Sequence, residues 1–363
     1  MKIIAVGDIL LAKKVEERIK NGNLISREIL TLFKQTDLRI GNLELPFSIK
    51  KMPKNKYKVT HPIKFKNASV LKELQFDVLT LANNHILDWG REGLETTINI
   101  LNKQKIFYCG AGFSEAEARN PAIISKKGIK VAVLGYVKNR EVSIKNNGFG
   151  PAFIDLEDIR TDISKIRPKV DLIIVNLHWG VEFNNYPSLE DIKLAHKIID
   201  CGADIILGHH PHVIQKIEKY DNKIIAYSLG NFISDPSFCN PFNKDLQCES
   251  IILEIDVYNR SVINYIYHPI IIEPHGFIRF ANSYEAEKIR KTLIEISKDE
   301  NIGNFYKNLE KLLKNRIKIL ITYLKNRQFR ELILNVKSIK FKHLLYLVNV
   351  IVNKYFKYKY QFK

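Results

Sequence analysis

Over the first 280 residues, short apolar runs alternate with helix-length amphipathic stretches. KIIAV (2–6), FDVLTL (76–81), DLIIVNL (171–177), ADIIL (203–207) and KIIAYSL (223–229) have the continuous apolar character of buried strands. PAIIS, the turn KKG and KVAVLGY (130–136) predict a hairpin. Between these runs lie helices. In SLEDIKLAHKIIDCG (188–202), Ser188 is placed to cap, with Asp191 three residues on. Ile192, Ala195, Ile198 and Ile199 form the apolar face, and Gly202 ends the helix. REGLETTINILNKQ (91–104) and LEDIRTDISKIRP (156–168) follow the same pattern. Strands alternating with helices predict an α/β fold, a buried sheet covered by helices.

Near residue 281 the strands stop, and the remaining segments have helical periodicity only. This divides the chain into an α/β domain, 1–280, and a basic helical C-terminal region, 281–363. Charge follows the same division. The net charge is +18, yet from Ala281 onward there are 19 Lys+Arg against 7 Asp+Glu, and no acidic residue follows Glu331. Such a region suits an anionic partner or a membrane surface, or is simply solvated. It carries no nucleic-acid motif, so no specific nucleic acid is expected.

Cys109, Cys201, Cys239 and Cys248 are scattered without a CxxC, which argues against a zinc knuckle or a disulfide framework. MKIIAVGD lacks the charged-then-apolar pattern of a secretory signal, and no run reaches the ~18 apolar residues of a membrane span. The expectation is a cytoplasmic protein, peripheral at the membrane if the basic region docks there.

Chemistry enters at the strand ends. KIIAV runs into Gly7-Asp8, DLRI into Gly41-Asn42-Leu43-Glu44, and VLTLA into Asn83-Asn84-His85. IIVNL runs into His178-Trp179-Gly180, DIIL into GHHPH with His209, His210 and His212, and IAYSL into Gly230-Asn231. Ligands of open α/β sheets bind outside the carboxyl ends of the strands. Each residue alone is more often a cap, a turn former or a hydrogen-bonded structural group. Together they form a carboxylate, amide and imidazole set suited to a divalent ion of the Mn, Zn or Fe type. An open position in such a shell would activate water. A metal-free pair of carboxylates, Asp8 and Glu44, would leave the histidines unused.

The segments GDIL, GNLELPFS, LANNHILDWGREGLETT, NLHWGVEFNNYPS, GHHPHVIQKIE and YSLGNFI resemble the CapA family of capsule and poly-γ-glutamate synthesis proteins, in order over roughly residues 1–275. That family is similar to the calcineurin-like metallophosphoesterases. The resemblance implies a four-layer αββα sandwich with a C-terminal helical appendage, in place of one doubly wound sheet. It implies metal ligation by Asp8, Glu44 in bridging position, Asn84, His178, His210 and His212, with His85 as proton donor to the leaving group. Two departures stand out. Asp8-Ile9-Leu10 lacks the histidine of an Asp-x-His motif, and Pro211 moves the Gly-His-x-His pair to His210 and His212, leaving His209 a supporting or alternate ligand.

Asp88 is placed either to orient the His85 imidazole or to cap the helix near Arg91. Glu182, Tyr186 and Asn231 are candidate substrate contacts, with a solvated loop the plain alternative for the first two. His61 and the lysine-rich KKMPKNKYK (50–58) could attract an anion. The expected function is phosphoester hydrolysis with one or two divalent ions, in capsule or anionic-polymer synthesis. The competing expectation is a non-catalytic, polymer-binding accessory subunit of a synthesis complex.

Overall fold

The computed structural model describes residues 1–12, 14–48, 63–235, 248–298 and 302–325. Within it, Met1–Phe305 form one compact unit and Tyr306–Lys363 a second.

The first unit contains two large sheets. One has eight strands. Its centre is β1 (Lys2–Ile9), parallel to β2 (Leu38–Leu43), then β3 (Val78–Thr80) and β4 (Phe107–Cys109). On its other side β1 runs antiparallel to β14 (Cys248–Tyr258), which continues to β15 (Ser261–Ile272) and β16 (Ile278–Phe280). The short β13 (Asn231–Ile233) pairs with the carboxyl end of β1. The six-stranded sheet runs β11 (Ile217–Tyr220), β12 (Lys223–Ala226), β10 (Ile205–His209), β9 (Leu172–His178), β7 (Ile129–Val137) and β6 (Ala122–Lys126). A small ladder joins β5 (Ala111–Gly112) to β8 (Gly150–Pro151). The expected hairpin is β6–β7, turning through Lys127 and Gly128, both with positive φ, as a two-residue turn of right-twisted strands requires.

Side-chain alternation explains the layers. Ile3 and Ala5 of β1 face Val131, Val133, Leu172, Ile174, Ile205 and Leu207 of the other sheet, making the inter-sheet core. Ile4 and Val6 point the opposite way, toward Val15, Ile29, Phe33, Leu94 and Leu101 of the helices on that face. On the far face of the six-stranded sheet, Leu134, Ile173, Val175 and Ile206 pack against Ile159, Ile163, Ala195 and Ile198. Helix, sheet, sheet and helix thus form the four-layer αββα sandwich, and not a single doubly wound sheet. Period-2 patterning marks each strand as buried but does not say to which sheet it belongs.

The helix Ser283–Lys298 turns Ala286, Ile289, Leu293 and Ile296 inward, and Ile289 and Leu293 join the inter-sheet core. Loss of strands at 281 therefore marks a change of element, while the compact unit continues to Phe305. Cys109 and Cys201 are free thiols, but Cys248 is disulfide-bonded, a correction to the expectation drawn from cysteine spacing. Scattered spacing does not reveal which cysteines the fold brings together. No helix among the described residues is long and apolar enough to cross a membrane. His61, KKMPKNKYK and the tail after Lys325 lie outside the described residues.

Candidate metal centre

The carboxyl ends of β1, β2, β3, β9 and β10 meet at one point. Asp8 stands in register with Asn42 on β2 and with Asn231 on β13, and His209 with His178. The sheets close tightly around this point. A Cβ on Gly7 would lie 1.9 Å from the Gly230 carbonyl oxygen, and one on Gly208 would lie 1.8 Å from that of Tyr227. Only glycine permits these approaches.

Glu44 is the centre of the cluster. It follows β2, its N–H donates to the Ile9 carbonyl at 3.2 Å, and its side chain is fully buried. Neither carboxylate oxygen has a hydrogen-bond partner. Three imidazoles surround Oε1: His212 Nε2 at 3.6 Å, His178 Nε2 at 3.9 Å and His85 Nε2 at 3.9 Å. Burial pushes its carboxyl up to about 8.

Asp8, also fully buried, accepts from Asn42 Nδ2 at 2.7 Å and from the His210 backbone N–H at 3.1 Å. His209 Nδ1 lies 3.4 Å from its Oδ1, and His212 Nδ1 lies 3.3 Å from its Oδ2. Burial works to raise the Asp8 carboxyl, but these histidines hold it well below the usual range. Two groups of candidate ligands result, each with its ligand atoms within 4.8 Å of one another: Asp8, Glu44 and His212, and Glu44, His178 and His210. They share Glu44.

Neighbouring amides set the rings. His178 Nε2 and Asn84 Oδ1 lie 2.8 Å apart, so these two candidate ligands point at one place. His212 Nδ1 donates to Asn231 Oδ1 at 2.9 Å, which leaves Nε2 toward Glu44. Burial opposes charge on His212, but Glu44 and Asp8 prevail and push it up to about 10. Burial lowers His210 to about 4 and puts His178 well below its ordinary value. Both are therefore held as neutral imidazoles, the form that binds metal.

The GHHPH loop is bent to serve this. His210 has φ 96° and His212 φ 60°, on either side of Pro211, whose carbonyl accepts the Phe183 N–H at 2.7 Å. Left-handed backbone at such residues costs about 1–3 kcal/mol each and persists where surrounding contacts fix it.

The donor set fits a divalent cation. Of the seven buried side-chain polar atoms without a hydrogen-bond partner among the described residues, four are here: both Glu44 oxygens, His209 Nδ1 and His210 Nδ1. A cation satisfies lone pairs that face one another in a dry interior, where leaving them unpaired is costly.

Residues 2–236 match the family model of the bacterial capsule synthesis protein PGA_cap. The chain belongs to the PGA_cap family. The PGA_cap match takes in every residue of the cluster, from Asp8 to Asn231. Over 236 residues the chain is 36% identical to the PGA biosynthesis protein CapA of Bacillus subtilis (strain 168), covering 63% of this chain and 62% of that one. Over 242 residues it is 35% identical to the capsule biosynthesis protein CapA of Bacillus anthracis, covering 63% and 59%. It thus spans less than two thirds of these relatives' own lengths. A probable polyglutamine synthesis accessory protein of Mycobacterium tuberculosis (strain ATCC 25618 / H37Rv) is 28% identical over 249 residues, 64% of this chain and 66% of that. Among solved structures, the calcineurin-like phosphoesterase YfkN from Bacillus subtilis is similar over 82% of this chain and 97% of its own, at 16% identity and a TM-score of 0.43.

In this PGA_cap chain His85 sits at the cluster's rim with its side chain 24% exposed. Its Nδ1 donates to Asp88 Oδ2 at 2.7 Å, which turns Nε2 inward. Asp88 also stands just before the helix Gly90–Lys103, whose N-cap position is Trp89. Glu182 is half-buried, and its charge acts on His210, His212 and Glu44. Tyr186 is half-buried in the same loop, its N–H donating to Asn184 Oδ1 at 3.1 Å. Asn231 is buried behind His212, where its amide oxygen can orient that ring.

Three asparagines escaped the sequence reading as site residues. Asn42 holds Asp8. Asn83 Nδ2 donates to the Leu43 carbonyl at 2.9 Å, and its Oδ1 accepts the N–H groups of His85 and Ile86, so it ties the Asn84–His85 turn to β2. Asn176 accepts from His209 Nε2 at 3.2 Å. For Asn42 and Asn83 the available signal is an amide at the end of an apolar strand, and for Asn176 an amide inside one, placements that require a buried partner.

Proposed function

We propose that this chain is a metal-dependent hydrolase of the metallophosphoesterase type, cleaving a phosphoester in capsule or anionic-polymer biosynthesis. The observation that carries this is Glu44, a buried carboxylate without a hydrogen bond, shared by two groups of metal-competent ligands. Family membership supports the biosynthetic setting.

Asp8, Glu44, Asn84, His178, His210 and His212 would hold one or two ions of Mn, Zn or Fe. Bound there, a divalent cation supplies positive charge to a phosphoryl oxygen and acidifies water. The protein's own contribution is positioning and proton transfer. Asp88 keeps a proton on His85 Nδ1 and stabilises the imidazolium, so Nε2 can deliver a proton to the leaving oxygen. Partial exposure at the rim lets His85 reach a substrate. Glu182 and Tyr186 would contact the substrate from the loop after β9, while Asn231 would act through His212. The region after residue 280 would supply contact with a membrane surface or a synthesis complex through its positive charge.

The test uses full-length protein loaded with Mn²⁺ and an activated phosphodiester. Turnover is expected, abolished by chelator and restored by Mn²⁺. His85→Ala is expected to lower kcat by roughly 10²–10⁴-fold with metal affinity unchanged.

A second reading is an accessory subunit that binds polymer without turnover. It is favoured by Leu10, which is buried among apolar side chains where an imidazole would complete an Asp-x-His pair. It predicts no hydrolysis, but saturable poly-γ-glutamate binding that weakens with salt.

A further inference from the structure

We propose that His209 is a metal ligand through Nδ1, and that Asn176 is the positioning residue that makes it one. The proposal rests on reading the cluster as a metal centre and deepens it.

Asn176 lies on β9, buried, with Nδ2 donating to the Leu134 carbonyl at 3.3 Å. That bond fixes the amide, because the flipped orientation would set oxygen against oxygen. Asn176 Oδ1 therefore faces His209 Nε2 at 3.2 Å, and Nε2 must carry the proton that joins them. A neutral imidazole protonated at Nε2 has a bare lone pair at Nδ1. This atom is buried, has no hydrogen-bond partner, and lies 3.4 Å from Asp8 Oδ1. Two acceptors then face each other in a dry interior. A cation between them would satisfy both lone pairs. Two ligands bound tetrahedrally at about 2.0–2.1 Å from one Zn²⁺ lie roughly 3.3 Å apart, close to the spacing found.

The placement is also economical for the site. Leu10, just after β1, offers no nitrogen, so the Asp8 group receives its imidazoles from the opposite sheet. Asp8, Glu44 and His212 lie within 4.8 Å of one another, and His209, beside Asp8 alone before metal binds, would close on the ion as their fourth protein ligand. The other group, Glu44, Asn84, His178 and His210, also has four.

Crystals of the full chain loaded with Zn²⁺, with the ion located by its anomalous scattering, test this directly. The expected result is Zn²⁺ within about 2.0–2.1 Å of His209 Nδ1, with Nε2 still on Asn176. Zn²⁺ bound by Asp8, Glu44 and His212, with His209 Nδ1 out of reach, overturns the proposal and leaves the metal reading intact. Crystals with no ion at Glu44 overturn both. In calorimetric titration of folded protein, Asn176→Leu is expected to weaken Zn²⁺ binding about 10–100-fold, as loss of an outer hydrogen bond to a metal histidine does. Unchanged affinity in that variant overturns the role given to Asn176.

Discussion

Asparagine side chains stand against three of the five rings here, those of His178, His209 and His212. Asn176 and Asn231 each face one imidazole nitrogen, and the remaining nitrogens of His209 and His212 turn toward carboxylates, while Asn84 Oδ1 stands beside His178 Nε2. The metal-free cluster is consequently strained in its protonation. Glu44 sits at about 8, above its unfolded value of 4.5, and His212 at about 10, above 6.5. In both cases the native state binds more protons than the unfolded chain, so stability falls as pH rises through these ranges. His210, at about 4, works in the opposite sense but only between pH 4 and 6.5. Above pH 6.5 all resolved shifts in this group that change with pH therefore act together. In chelator, the urea midpoint is expected to drop between pH 6.5 and 8, by on the order of 2 kcal/mol in unfolding free energy. Bound metal is expected to remove most of that slope, because the ligands are then deprotonated in the native state.

Elements carry the residues to the site, and their placement was unevenly legible. Ser188 is the N-cap of the helix Leu189–Asp200, its Oγ accepting the Asp191 N–H at 3.1 Å, as the sequence pattern predicts. Ser188→Ala is expected to cost about 1 kcal/mol in denaturant unfolding. Gly208→Ala is expected to cost more, roughly 3 kcal/mol or above, because its Cβ would meet the Tyr227 carbonyl at 1.8 Å. The cap is a local signal within four residues, so it can be read from sequence. The Gly208 contact joins β10 to the segment after β12 and has no local signature. The same distinction covers the site. Asp8, Glu44, Asn84, His85, His178 and the GHHPH histidines show at strand ends, as does Asn42, but Asn176 lies within an apolar run and has meaning only once its neighbours in the fold are known. The long β14–β15 hairpin was likewise not singled out, its strands lacking any site residue.

At the scale of the molecule, the αββα core needs the helix Ser283–Lys298, although the sequence changes character before it. A chain ended at Phe305 is expected to unfold cooperatively near the full-length midpoint. One ended at 280 loses Ile289, Leu293 and Ile296 from the core and is expected to be less stable by roughly 3 kcal/mol or more. The core encloses a buried carboxylate, Glu44, with no hydrogen-bond partner, which a shared cation would satisfy. Calorimetric titration of metal-free, full-length protein with Mn²⁺ and with Zn²⁺, beside Glu44→Gln, tests it most directly. Stoichiometric uptake of one or two ions is expected for the wild type, with at least a roughly 100-fold weaker affinity in the folded Glu44→Gln variant. Absence of uptake by the wild type, or equal uptake by the variant, would contradict it.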